Sequence, residues 1–144
     1  MAHILVTGAN GQLGSEIRKL AQETKHQFTF SDVDTLDITN YAALEKFCEG
    51  INFDFIINCA AYTAVDKAES DTEKAFLINR DAVANLTKIA DKQNAILIQV
   101  STDYVFDGHG NAPYQETDKV NPLSVYGKSK VEGEMEALKY NRTL

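Results

Sequence analysis

The sequence predicts an α/β fold built on a doubly wound parallel sheet, and three observations carry that prediction. Short apolar runs alternate with longer segments of helical period. The runs are apolar along their whole length, as strands covered on both faces require. A glycine-rich turn joins the first run to the first helical segment.

Ile4-Leu5-Val6-Thr7 is the first strand. Gln12 to Thr24 follows as a helix, with Leu13, Ile17, Leu20 and Ala21 at its apolar period. Phe28-Thr29-Phe30 is the second strand. Asn40 is suited to cap a helix that runs through Glu49, with Leu44 and Phe47 inward. Phe53-Asp54-Phe55-Ile56-Ile57 is the third strand. Asp71 to Gln93 reads as one long helix with Ala75, Ile78, Ala82, Leu86, Ile89 and Ala90 on one face. Ala95 to Val100 is the fourth strand. A long loop with Gly108, Gly110, Pro113 and Pro122 leads to a last helix from about Ser124 to Tyr140. Right-handed crossovers between such strands give the doubly wound arrangement.

Composition narrows the function classes. A chain of 144 residues suits one domain that buries roughly two thirds of its unfolded surface. Hydrophobic residues make up 44% of it, which argues against intrinsic disorder. No apolar run of about 18 residues is present to span a membrane as a helix. The start, Met1 to Val6, lacks the basic region of a secretory signal and reads as the first strand, so a cytoplasmic location is expected. A net charge of −7 disfavours nucleic-acid binding, which rests on phosphate neutralisation. Cys48 and Cys59 stand in apolar settings without a Cys-x-x-Cys pattern and are expected to be reduced core residues. His3, His26 and His109 form no ligand spacing, and no metal is assigned.

The glycine turn carries the first functional signal. Gly8, Gly11 and Gly14 stand at Gly-x-x-Gly-x-x-Gly spacing between the first strand and the first helix. A pyrophosphate needs a turn it can approach closely and a helix N-terminus whose amides and dipole face it. In that context the turn points to a dinucleotide site. Asp32 ends the second strand 18 residues after Gly14, where a carboxylate can accept hydrogen bonds from the adenosine ribose. Asp34 competes for that role, and either can simply serve the turn. The acid repels a 2′-phosphate and leans toward NAD, but both NADH and NADPH stay open. Asn58-Cys59-Ala60-Ala61 ends the third strand with small residues, suited equally to a ligand or to close helix packing.

The second signal lies further along. Ser101-Thr102-Asp103-Tyr104 follows the fourth strand, at the sheet edge where such folds bind ligands. Tyr126 and Lys130 stand four residues apart and so share one face of the last helix. A neighbouring cation favours the phenolate, which suits a tyrosine to proton transfer. Thr102 can hold a carbonyl oxygen, and Tyr126 can give that oxygen a proton. Asn79, a poor helix former in the long helix, either orders a water or a carbonyl near the site or is merely solvated.

These segments together resemble the extended short-chain dehydrogenase/reductase family. The likeness rests on Val6 to Gly14, Asn58 to Glu69, Ser101 to Gly108 and Tyr126 to Lys130, which span nearly the whole chain in the expected order. The two middle segments are the more specific, and they are most similar to the branch acting on deoxythymidine-diphosphate sugars. The resemblance implies a Rossmann-like fold and NAD(P)H-dependent reduction of the 4-keto group of dTDP-4-dehydro-L-rhamnose, a step of nucleotide-sugar and cell-surface polysaccharide biosynthesis. It implies Thr102, Tyr126 and Lys130 as catalytic residues. It implies a cofactor site of Gly8, Asn10, Gly11, Gln12, Leu13, Gly14, Asp32, Asp37, Ile38, Ala60, Ala61 and Thr63, with Tyr126 and Lys130. Val65, Thr102, Asp103, Tyr104 and Val105 are implied near the sugar.

Members of the family are about twice as long. The chain is therefore expected to be one NAD(P)-binding domain, residues 1–144, ending before the fifth strand and lacking the C-terminal substrate domain. It is then expected to bind NADH or NADPH while reducing the dTDP-sugar poorly. The fourth strand is expected to expose an edge, and exposed edges favour association, a homodimer included. Two other functions fit the fold: a non-catalytic regulatory subunit and a related sugar-nucleotide epimerase. Intact Thr102, Tyr126 and Lys130 favour the reductase over the first, and Ser101 to Phe106 favours it over the second.

Overall fold

Four parallel strands form one sheet, in the order β2-β1-β3-β4. The computed structural model describes residues 1–144. The strands are β1 (His3–Thr7), β2 (Gln27–Phe30), β3 (Phe55–Asn58) and β4 (Ile96–Gln99). The chain leaves β1 for β2 on one side and then returns to β3 on the other. The topological switch point, where open parallel sheets bind ligands, thus lies between β1 and β3.

Helices α1 (Gln12–Ala21), α2 (Tyr41–Phe47), α3 (Val65–Ala68), α4 (Thr72–Phe76), α5 (Ala82–Gln93) and α6 (Val125–Ala137) connect and cover the strands. Local chemistry sets several of their ends. The Asn40 side chain caps α2 by accepting the Ala43 N–H, and Ser124 caps α6 by accepting that of Gly127. Helix α5 stops at Asn94, which takes the left-handed conformation (φ 55°) that asparagine tolerates.

The main core lies on one face of the sheet. Leu5, Ile56 and Leu97, neighbours across β1, β3 and β4, pack against Leu44 of α2, Val83, Leu86 and Ile89 of α5, and Ala137 of α6. Each such large side chain contributes on the order of 1.5–3 kcal/mol through its removal from water. On the opposite face Val6 is fully buried, whereas Phe55, Ile57, Ile96 and Ile98 are only half-buried.

The structure corrects several expectations. The apolar stripe of α1 is not packed: Leu13 is 45% and Leu20 60% exposed, and Gly14 alone is buried. The helix also stops at Ala21, short of Thr24. Strand β3 starts at Phe55, two residues later than expected, and the Phe53 N–H donates to the Gln93 side chain rather than to a neighbouring strand. The long helix is interrupted by a π-helical turn, Leu77–Asp81, between α4 and α5. Helix α3 was not expected. Cys48 is core, but Cys59 is only half-buried and opens onto a cleft. The edge of β4 is not bare either. Leu97 donates to the Arg142 carbonyl, Leu144 donates to the Leu97 carbonyl, and Gln99 donates to the Leu144 carbonyl, so residues 142–144 lie beside β4 in parallel register.

Candidate functional site

A cleft of about 530 Å³ opens at the switch point, within the range of small-molecule sites. Gly8 and Gly11 of the turn, Asp32, Asp37 and Ile38 beyond β2, and Ala60 and Ala61 beyond β3 all line it. The sequence singled out those seven. Val33, Leu36, Thr39, Cys59, Lys74, Leu77 and Ile78 complete the lining; Ile78 and Cys59 were read as core, Cys59 also as one of the small residues suited to a ligand, and the other five were missed. The π-helical turn is the reason for Leu77 and Ile78, since an extra residue in the turn shifts the helical register.

The glycines are required by space. Gly8 has φ +64°, and a Cβ there would lie 2.5 Å from the Ala60 nitrogen and 2.7 Å from the Cys59 carbonyl carbon. A Cβ on Gly14 would lie 2.6 Å from the Gly8 oxygen and the Ala9 Cα. So the turn presses against the end of β3, and α1 presses against the turn. Gly11 sits at the N-cap of α1 and offers no side chain to cap it. The first-turn amides are left without a side-chain acceptor, unlike those of α2 and α6, which suits them to an external anion. On these grounds the residues present fit the pyrophosphate of a dinucleotide.

Asp32 does more than line the cleft. Its carboxylate accepts the N–H of Asn10 and that of Val33, each at 2.8 Å, tying the glycine turn to the end of β2. Asp37 is engaged by the N–H and hydroxyl of Thr39 at 2.9 and 2.7 Å. Asn10, Gln12, Leu13 and Thr63 are exposed and are not among the residues that line the cleft.

The second group gathers around the start of α6. A Cβ on Gly127 would strike the Tyr104 carbonyl, so α6 lies directly against the short turn Asp103–Val105. The Tyr104 ring then meets Tyr126 edge-on, centroids 5.5 Å apart. Thr102 accepts the Tyr104 N–H at 3.3 Å and caps that turn, with Asp103 3.2 Å from its hydroxyl. Lys130 donates to the Val100 carbonyl at 2.6 Å, two residues before Thr102. Its burial lowers the ammonium pKa, partly opposed by Glu134. Glu134 in turn holds the Ser101 hydroxyl. Thr102, Tyr104, Tyr126 and Lys130 are thus brought together, while Val105 is buried and Val65 packs beside Tyr62 and Tyr126.

Asn79 joins the two groups and is not solvated. It is 2% exposed, accepts the Tyr62 N–H at 2.8 Å, and donates to the Tyr62 carbonyl at 3.0 Å and the Ser129 hydroxyl at 2.9 Å. It belongs to the π-helical turn that supplies Leu77 and Ile78 to the cleft wall. Ser129 is the residue before Lys130.

A doubly wound parallel sheet with a glycine turn and a cleft at its switch point defines a nucleotide-binding α/β protein. The chain belongs to the family described as RmlD substrate binding domain, which it matches over residues 1–144. It is 44% identical over 135 residues to a dTDP-4-dehydrorhamnose reductase of Aggregatibacter actinomycetemcomitans, covering 93% of this chain and 46% of that protein. A crystal structure of a dTDP-4-dehydrorhamnose reductase from Clostridium acetobutylicum superposes with a TM-score of 0.95 at 45% identity, over 98% of this chain and 51% of the other. Another from Bacillus anthracis, in complex with NADP, gives a TM-score of 0.95 at 34% identity, over 99% and 51%. The chain spans about half the length of the relatives it matches.

Proposed function

We propose that residues 1–144 are the dinucleotide-binding domain of a dTDP-4-dehydrorhamnose reductase, using NADH or NADPH to reduce the 4-keto group of a dTDP-sugar. The observation that carries this reading is the joint placement of the glycine-turn cleft and the Thr102–Tyr126–Lys130 group at the same end of the sheet. Relatives bearing that activity, and one crystallised with NADP, support it.

Gly8, Gly11 and the start of α1 would hold the pyrophosphate, and Asp32, Asp37 and Ile38 the adenosine. A nicotinamide cofactor, when bound, supplies a hydride. The chain supplies what remains. The Thr102 hydroxyl donates to the ketone oxygen and fixes it. Tyr126 gives that oxygen its proton, a contribution of about 10²–10⁴ in rate. Lys130 brings the positive charge that offsets the phenolate left behind. Tyr104, against the Tyr126 ring, limits where the sugar can lie.

The test is calorimetric titration of the folded chain with NADH and NADPH, together with Tyr126→Phe in the reductase that carries these residues. Micromolar to millimolar binding, kept in Tyr126→Phe while turnover falls about 10²–10⁴-fold, is the expected result. A folded chain that binds neither dinucleotide ends the cofactor reading. A Tyr126→Phe enzyme of undiminished turnover removes the proton-donor role.

A further inference from the structure

We infer that Lys74 makes this cleft accept a phosphorylated adenosine ribose, so that it is the residue deciding between NADP and NAD. The inference deepens the cofactor reading above and rests on it.

An exposed lysine on a helix is ordinarily a solvated charge. Three observations set Lys74 apart. It lines the cleft, together with Asp32 and Asp37, although it comes from α4, far along the chain from both. It is exposed and makes no ion pair, so its ammonium is available to a ligand in the cleft. No other Lys or Arg lines the cleft. Arg18 of α1 lies instead over the ring of Phe30, the last residue of β2, at 4.3 Å.

The acids that would repel a 2′-phosphate are already occupied. Asp32 accepts two backbone N–H groups, and Asp37 accepts an N–H and a hydroxyl. Donors aimed at a carboxylate offset its negative charge toward a neighbouring anion. A carboxylate also keeps lone pairs beyond those used here, so Asp32 can still take a ribose hydroxyl. The same cleft can thus hold both cofactors, with the free ammonium adding affinity only when the phosphate is present. Lysine suits this role, as a mobile point charge that meets a phosphate without fixed geometry.

The test is calorimetric titration of the 144-residue chain, of Lys74→Met and of Lys74→Arg, with NADP⁺, NAD⁺, 2′,5′-ADP and 5′-AMP. Lys74→Met is expected to bind NADP⁺ and 2′,5′-ADP about three- to fivefold more weakly, the scale of one exposed charge contact. Binding of NAD⁺ and 5′-AMP should stay within about twofold, and Lys74→Arg should restore the phosphate preference. Raising the salt from 0.05 to 0.5 M should shrink the NADP⁺ advantage of the native chain but not of Lys74→Met. Equal losses for both dinucleotides, or none for either, would overturn the assignment, as would a native chain that binds NAD⁺ and rejects NADP⁺. A folded native chain that binds none of the four ligands overturns the cofactor reading as well, and so separates the two failures.

Discussion

Replacing Gly8 by alanine tests the claim that the turn is pressed against the end of β3. Two costs add at this position. The backbone has φ +64°, which costs an L-residue roughly 1–2 kcal/mol. The new Cβ would also lie 2.5–2.7 Å from the Ala60 and Cys59 backbone, which cannot swing aside as a side-chain tip can. Overpacking of this kind costs about 1–3 kcal/mol. The sum is about 2–5 kcal/mol, a large share of the 5–15 kcal/mol that holds a typical domain folded. Gly50 provides the control. It has φ +74° and nothing within 4 Å of its virtual Cβ, so Gly50→Ala carries the backbone cost alone. Urea unfolding followed by circular dichroism reads both. The midpoint of Gly8→Ala should fall further than that of Gly50→Ala by about 1–3 kcal/mol once multiplied by the common slope. Equal shifts in the two variants would show that the turn has room to relax, and the close-packing account of Gly8 would be wrong.

Asn79→Ala strips the buried partners from Tyr62 and Ser129 and should destabilise by about 2–4 kcal/mol, with a double-mutant cycle against Ser129→Ala giving coupling above about 0.5 kcal/mol. Additive losses would mean that the two side chains act independently. Asn40→Ala should cost about 1 kcal/mol in the same assay, and Asn40→Gly a few tenths, as expected for loss of a helix cap. Burial pushes the Cys48 thiol from 9.0 up to about 11. A raised acid in the folded state gives stability that is intact below pH 9 and lost as the pH rises through 11. The urea midpoint of the native chain should therefore drop more steeply over that window than that of Cys48→Ala, and parallel curves would contradict it. Lys130 works in the opposite sense: its lowered pKa means that the buried ammonium weakens the fold at neutral pH, and that this penalty fades as the pH approaches 10.5. Lys130→Met should flatten that part of the profile.

The strands and the glycine turn were legible because both have local causes. An apolar run between polar turns has few alternatives to a covered strand, and the spacing of Gly8, Gly11 and Gly14 states where backbone must approach backbone. The cap at Asn40 was legible for the same reason. What failed depended on neighbours distant in sequence. The helical period of Leu13, Ile17 and Leu20 is correct, yet no period reveals how much of a sheet face a helix will cover, and α1 leaves Leu20 60% exposed. The π-helical turn contains Asn79, whose partners at Tyr62 and Ser129 lie 17 and 50 residues away. That turn moved Leu77 and Ile78 onto the cleft wall. Lys74 was invisible for a related reason: nothing about an exposed helical lysine reports that it lines the same cleft as Asp32 and Asp37.

The position of Asn79 also bears on how this protein can be altered. The turn that presents Leu77 and Ile78 to the cleft is bolted to the residue preceding Lys130 by one amide side chain. The cleft wall and the helix that carries Tyr126 therefore share a mounting. A substitution at Leu77 or Ile78, chosen only to reshape the pocket, can tilt α6 and shift Tyr126 with it. Engineered variants of the cleft wall should accordingly be scored on turnover as well as on affinity, and paired changes at residues 77 and 129 are the natural unit of redesign.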